Sequence, residues 1–311
     1  MSKSILSKKF KFAITDNTVY EGKDAVDFFS EALLDGVSSK TFRVIPGVKS
    51  KIKLPQYQVG ELIKEAGCSW SPAGEGTLSQ KSFEVCDKEF QMELCTTTFE
   101  ANFLGEYLRP GSNTGEVAPE LFTSYMLNQV KKQVQNDLEL AVWKGDATAP
   151  TYPTNICDGL ELQLAADGDV IVATGTTVTL SNVIAEITSV YDAIPQTVLN
   201  APDLVIYVGT AIFKLYQQAI AAASSEAYYV GAKEPNFLGI PIVWAPGMSA
   251  NTMVAGMKSN FILLTDLLDD FETVTVVPQW NVAAVSTVRI AGRFKWGVSY
   301  LVPSEIVFYS I

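Results

Sequence analysis

"PELFTSYMLNQVKKQVQNDLELAVWKG", residues 119–145, is the stretch on which the fold turns. Pro119 suits the first position of a helix, where a missing N–H leaves no bond unmade, and Gly145 suits the stop. Between them Leu121, Tyr125, Val130, Val134, Leu138, Ala141 and Val142 fall on one stripe at helical spacing. About 26 residues at 1.5 Å each make a rod of roughly 39 Å. That is long for a core filler, so the spacing predicts a spine helix over 119–144 on which other layers pack.

C-terminal to the spine the period shortens. Ser181 is placed to cap a helix carrying Val183, Ile184, Ile187, Val190, Tyr191 and Ile194. "LVIYV" (204–208) reads as a buried strand. Residues 210–223 read as a second helix with Phe213, Tyr216 and Ile220 inward, and strands follow at 240–244, 253–257 and 261–264. Helices over a sheet make this an α/β module, 181–270. The cleanest alternation comes last. Val288, Ile290, Phe294, Trp296, Val298 and Tyr300 take every second place with Gly292 in register, while Arg289, Arg293 and Lys295 take the other face. The chain thus returns to a sheet that packs on the spine, and the α/β module is an insertion between them.

N-terminal to the spine lie an arm (1–40), with a short helix over 24–34, and two extended runs. In 41–54, Lys49, Lys51 and Lys53 share one face and Val48, Ile52 and Leu54 the other. In 81–100, Phe90, Met92 and Leu94 alternate with Glu89, Gln91 and Glu93. A basic run facing an acidic one favours antiparallel pairing. The expectation is an extended hairpin over 41–100 that needs a neighbour to hold it, because an isolated hairpin is marginal in water. Lys49, Lys51, Lys53, Glu84, Glu89 and Glu93 are its candidate contact residues.

Composition removes several classes of chemistry. There is no histidine, which excludes His-based triads, zinc sites and proton shuttles. No GxxxxGK[ST] loop is present, and "AGEGTLS" (73–79) reads as a flexible loop. A net charge of −11 disfavours tight non-specific binding to nucleic acid. No stretch has signal-peptide form or reaches the roughly 18 to 20 apolar residues of a membrane span. Cys68, Cys86, Cys95 and Cys157 show no CxxC spacing and are expected as reduced thiols. Asp266, Asp269, Asp270 and Glu272 could hold a hard cation, but they lack EF-hand spacing and read as a solvated linker. No cofactor, metal site or catalytic residue is expected, and the chain is read as a non-enzyme.

The order of arm, hairpin, spine helix, inserted α/β module and long closing strands resembles the major capsid proteins of tailed double-stranded-DNA bacteriophages, the Hong Kong 97-type shell fold. "LELAVWKGD" (138–146) is similar to that family's spine-helix ending, and "CDGL" (157–160) to the segment after it. "GIPIVWAPGM" (239–248), "NFILLTDLLDDFETVTV" (260–276) and "VRIAGRFKWGVSYLVPSEIVFYS" (288–310) resemble its later strands. The resemblance implies an α+β fold. Its peripheral domain would comprise 101–180 and 271–311, and its axial domain 181–270. It further implies hexamers and pentamers of this chain closing into an icosahedral virus shell around packaged double-stranded DNA, without sequence-specific binding. A portal and, since only about 40 residues precede the hairpin, a separate scaffolding protein are implied partners, with a decoration protein as an optional addition and no membrane. The expected location is the virion, with assembly in the bacterial host cytoplasm. Encapsulin-type cellular cargo shells share the fold and are the alternative; a metal-dependent enzyme is a more distant one.

Overall fold

The computed structural model describes residues 18–20, 36–60, 63, 65, 74, 76–95, 119–155, 157–223, 235–266, 274–279 and 287–311. The expected helix at 24–34 lies outside them. The chain is a mixed α+β protein forming two compact units. One takes Met1–Asp35, Asp87–Asn136 and Leu267–Phe294, and the other Gly36–Cys86, Asp137–Asp266 and Lys295–Ile311.

In the first unit, β12 (Val274–Pro278) lies between β1 (Thr18–Tyr20) and the first part of β13 (Thr287–Tyr300), antiparallel to both. β5 (Cys86–Cys95) also pairs with β13. Burial along β5 alternates residue by residue, as its sequence predicts, with Phe90, Met92 and Leu94 on the covered face. The gap at Gly292 is filled from here, because a Cβ on Gly292 would overlap the Phe90 ring.

The long helix α2 spans Pro119–Lys144, the predicted bounds. Val130, Val134, Leu138, Ala141 and Val142 are buried as the stripe requires, whereas the side chains of Leu121 and Tyr125 lie outside the described residues. Burial in the last turn goes beyond the stripe: Trp143 and Glu139 are buried too. Trp143 sits among Phe42 and Tyr207, and Phe42 also stacks on Phe261 at 5.3 Å.

The second unit holds the α/β layer. Its sheet runs β6-β14-β10-β7-β9-β8: β6 (Ile171–Thr174), β14 (Val307–Ser310), β10 (Met253–Met257), β7 (Leu204–Val208), β9 (Ile240–Trp244) and β8 (Asn236–Phe237). Helices α4 (Val183–Asp192) and α5 (Thr210–Ala223) share one apolar core with this sheet, built from Val183, Ile187 and Val190 against Ile206, Val208 and Met253. β6 and β14, outside the expected 181–270 module, complete the same sheet. β11 (Phe261–Thr265), inside it, pairs with the second part of β13 and, in parallel, with β2 (Arg43–Ile45).

Several sequence readings are corrected. Ser181 does not cap α4: Asn182 holds the N-cap position, and the Ser181 hydroxyl instead lies 3.0 Å from that of Thr179. Gly76–Ser79 of the expected flexible loop belong to strand β4 (Gly76–Phe83), because pairing with β3 (Ile52–Val59) recruits them. Asp266 is buried rather than solvated, since it follows β11 directly and its N–H faces the Lys295 carbonyl. Asp269, Asp270 and Glu272 lie outside the described residues. Cys86 and Cys157 are joined in a disulfide across a separation of 71 residues, against the expected reduced thiols. Chain folding, not local spacing, brings them together.

Candidate functional site

The hairpin is where the sequence placed function, and its geometry follows from its pairing. β3 and β4 form a sheet of two strands, from Ile52 opposite Phe83 to Val59 opposite Gly76. Its near end is anchored. Phe83 is buried with Val48, Ile262 and Leu264, and Ile52, Leu54, Val85 and Leu301 pack against them. Further out, Gly76, Ser79 and Gln80 are exposed, and Leu78 is 67% exposed. An isolated two-stranded ribbon is marginal in water, so its anchored end carries its stability.

The charged residues sort differently from the expectation. Among the described residues, the strand pairing between the runs 41–54 and 81–100 is that of Ile52, Lys53 and Leu54 with Phe83, Ser82 and Lys81. The second run breaks after Phe83, because residues from Cys86 onward pair with β13 instead. Lys51 and Glu84 do form an ion pair, with both side chains more than half exposed. Lys53 opposes Ser82, not an acid. Lys49 is exposed, and its carbonyl accepts a 2.9 Å hydrogen bond from the Lys295 ammonium. Glu89 and Glu93 share the exposed face of β5, and Glu93 lies 3.5 Å from Arg289. Arg289, on the basic face of β13, is therefore the in-chain partner of Glu93. Exposed pairs of this kind contribute about 0–1 kcal/mol each, so they tune a surface more than they hold a fold.

Lys81 was not singled out by the sequence, yet its charge is drawn in at the root of the hairpin. Its ammonium stands 3.4 Å from the centre of the Tyr300 ring and 3.7 Å from Asp167, the residue that caps the end of α3 (Leu160–Ala166). Burial pushes the Lys81 amine below its usual range, against the opposing pull of Asp167. The Tyr300 hydroxyl donates to Asp167 at 2.7 Å, and burial together with that carboxylate holds the phenol far above its ordinary value. At Asp167 itself partial burial acts upward, but hydrogen bonds from Tyr300 and the Asp169 N–H, with the Lys81 charge, outweigh it and hold the carboxyl low. The signal was available: Lys81 lies two residues from Phe83, hence on the same, covered face of β4. Gln56 adds a hydrogen bond from its amide to the Leu301 carbonyl.

Beside the hairpin base the helix α2 ends in a junction built from backbone. The Gly145 N–H donates to the Ala141 carbonyl, Asp146 to Thr154 at 2.8 Å, and Gly159 to Gly145 at 2.8 Å. A Cβ on either glycine would collide with main-chain atoms. This is the physical content of the "WKGD" and "CDGL" segments: two glycines let two pieces of backbone touch. One turn back, Glu139 is buried and accepts from the Ser38 N–H at 2.8 Å, while Trp143 donates its indole N–H to the Ser38 hydroxyl at 2.7 Å. Burial raises the Glu139 carboxyl above its ordinary range, and the hydrogen bonds from Ser38 and Ser39 only partly offset it. The pair holds helix α1 (Val37–Thr41) on the end of α2.

Among the described residues no group of three or more acidic or thiol side chains is placed to hold a metal ion, and no helix is long and apolar enough to cross a membrane.

No protein-family model matches the chain, and no curated protein does. Solved structures do. A subunit from the satellite phage P4 procapsid, which includes the size-determination protein Sid, aligns with a TM-score of 0.57 and 13% identity, covering 91% of this chain and 96% of that one. A subunit from the capsid of a native GTA particle aligns with a TM-score of 0.60 and 11% identity, covering 88% and 90%. A chain from Mycobacterium phage Adephagia gives 0.54 and 13% identity, covering 89% and 90%. At such identities the likeness is one of fold: this chain has a capsid-like fold along nearly its whole length.

Proposed function

We propose that the chain is the structural subunit of an icosahedral shell, assembling as hexamers and pentamers that enclose packaged double-stranded DNA. The observation that carries this reading is the extent of the fold likeness, which takes in nine-tenths of this chain and nearly all of the P4 procapsid subunit. A shared fold alone supports many functions. Here Gly76, Leu78, Ser79 and Gln80, toward the outer end of the β3–β4 hairpin, are exposed and are a part a neighbour would cover. On this reading 119–144 is the spine of a peripheral domain, 181–270 forms the body of an axial domain, and the molecule performs no catalysis. Many weak contacts per subunit give a stable closed particle. A separate scaffolding protein and a portal assist in the bacterial cytoplasm, and the finished location is the virion. A net charge of −11 keeps packaged DNA from adhering to the wall.

The test is expression of the chain, alone and with its neighbouring gene products, followed by sizing and negative-stain electron microscopy. Shells, tubes or capsomer rings are expected. A monomer that persists with those products present would overturn the reading. Protein cargo in place of DNA inside the particles would move it to a cellular compartment.

A further inference from the structure

We propose that Cys86 and Cys157 form a reversible redox latch that sets how firmly the base of the β3–β4 hairpin is held to the end of α2. Cys86 is where the chain leaves the hairpin: β4 ends at Phe83 and β5 begins at Cys86. Cys157 stands two residues before Gly159, whose N–H closes on the Gly145 carbonyl just beyond α2. The disulfide therefore ties the hairpin exit to the helix terminus. The link between Phe83 and Cys86 lies close against β13, where a Cβ on Gly297 would meet the Glu84 carbonyl and the Val85 Cα.

The site accommodates both redox states. Cys157 is buried, and its sulfur lies 3.6 Å from the Trp296 carbonyl oxygen, an acceptor ready for an S–H. Cys86 is only partly covered, so a small thiol or disulfide can reach it. With the bond open, the hairpin keeps its apolar root at Phe83 and, among the described residues, the polar contacts of Lys81 with Tyr300 and Asp167, of Gln56 with Leu301 and of Lys51 with Glu84. With it closed, the exit of β4 is fixed covalently. The switch thus acts on the hairpin and leaves the α/β core untouched.

The chemistry balances as thiol–disulfide exchange. The Cys86 thiolate attacks a small-molecule disulfide of the oxidised-glutathione class and releases one thiol. The Cys157 thiolate then attacks the mixed disulfide at Cys86 and releases the second. The two cysteines lose two protons and two electrons, and the reagent becomes two thiols; excess thiol runs the sequence backwards. The biological sense rests on the shell reading. In the reducing cytoplasm the latch is open and the hairpin can settle on its neighbour; once the particle leaves the cell, it closes.

The experiment uses the full chain, unassembled, equilibrated with excess reduced or oxidised glutathione. Alkylation with mass mapping should find Cys86 and Cys157 modified in the reduced sample and protected in the oxidised one. Hydrogen exchange in 76–83 should be about tenfold slower after oxidation, and Cys86→Ser and Cys157→Ser should abolish that difference. Full alkylation of both cysteines after oxidation, or equal exchange in the two states of the wild-type chain, would overturn the proposal. The wild-type comparison needs no variant to fold. Neither readout requires a shell, so this failure is distinct from a failure to see particles by microscopy.

Discussion

Replacing Gly159 with alanine sets two known effects against each other, and the structure says which wins. Gly159 has φ −76° and ψ 172°, a conformation alanine adopts freely. On backbone grounds alone the change would stabilise by about 0.4–1 kcal/mol, by narrowing the unfolded ensemble. The added Cβ, however, would lie 2.5–2.7 Å from the Gly145 nitrogen and the Trp143 carbonyl group. All three atoms are main chain and cannot rotate away. Restoring ordinary contact at 3.4 Å means opening the junction by roughly 0.7–0.9 Å. Overpacking of that kind costs about 1–3 kcal/mol. It also stretches the 2.8 Å bond from Gly159 to Gly145, worth a further ~1 kcal/mol. The net expectation is a loss of about 2 kcal/mol. Gly168 is the control: nothing lies within 4 Å of its Cβ position and its backbone is outside the left-handed region, so Gly168→Ala should gain about 0.4–1 kcal/mol. Urea unfolding of the unassembled chain in reducing buffer, followed by tryptophan fluorescence at constant m, measures both. If the two variants shift the midpoint in the same direction, the close approach of Gly145 and Gly159 is not there.

Glu139→Gln tests the buried carboxyl. A raised folded-state pKa means that Glu139 favours folding when protonated. That contribution is fully present below the unfolded value of 4.5 and is lost as pH rises through the folded value. Glutamine keeps an acceptor for the Ser38 N–H and carries no charge. The stability of the variant should therefore fall less than that of the wild type between acid and about pH 8; parallel denaturation profiles would sink the assignment. Reversing Lys51 and Lys53 together to glutamate should change unfolding free energy by under about 1 kcal/mol, since the Lys51–Glu84 pair is exposed. The same variant should sharply reduce particle yield in sedimentation. Normal yield would remove these lysines from the subunit contact.

What could be read in advance depended on whether the signal was local. Pro119 and Gly145 punctuate a helix from within the sequence, and α2 has those bounds. The alternation from Val288 to Tyr300 needs only the period of a strand, and β13 buries those residues. The break between Phe83 and Cys86 shows only as a shift in phase, from covered Lys81, Phe83 and Val85 to covered Cys86, Lys88 and Phe90, and alternation does not encode which strand is the partner. Glu139 and Trp143 were missed for a related reason. A stripe assumes one covered face, whereas the last turn of α2 is enclosed on several sides, with Gly247 against the Glu139 carbonyl and Phe42 and Tyr207 around Trp143. The hairpin itself was legible in outline, but its charge partners were not, because the pairing of β5 with β13 draws Glu93 to Arg289. The disulfide joins residues whose separation of 71 carries no short-range mark.

The position of β14 has a consequence for how the chain is made. Val307–Ser310 slots between β6 and β10, parallel to the first and antiparallel to the second. β6 (Ile171–Thr174) leaves the ribosome well over a hundred residues earlier. Through all that synthesis β6 lacks its β14 partner, and from the point at which Met253–Met257 is made β10 presents a bare edge as well. Non-local pairings of this kind slow folding and leave strand edges open to other nascent chains. On a polysome, the interval before β14 emerges is the window in which a neighbour's strand could take its place, and in which a chaperone would have most to shield.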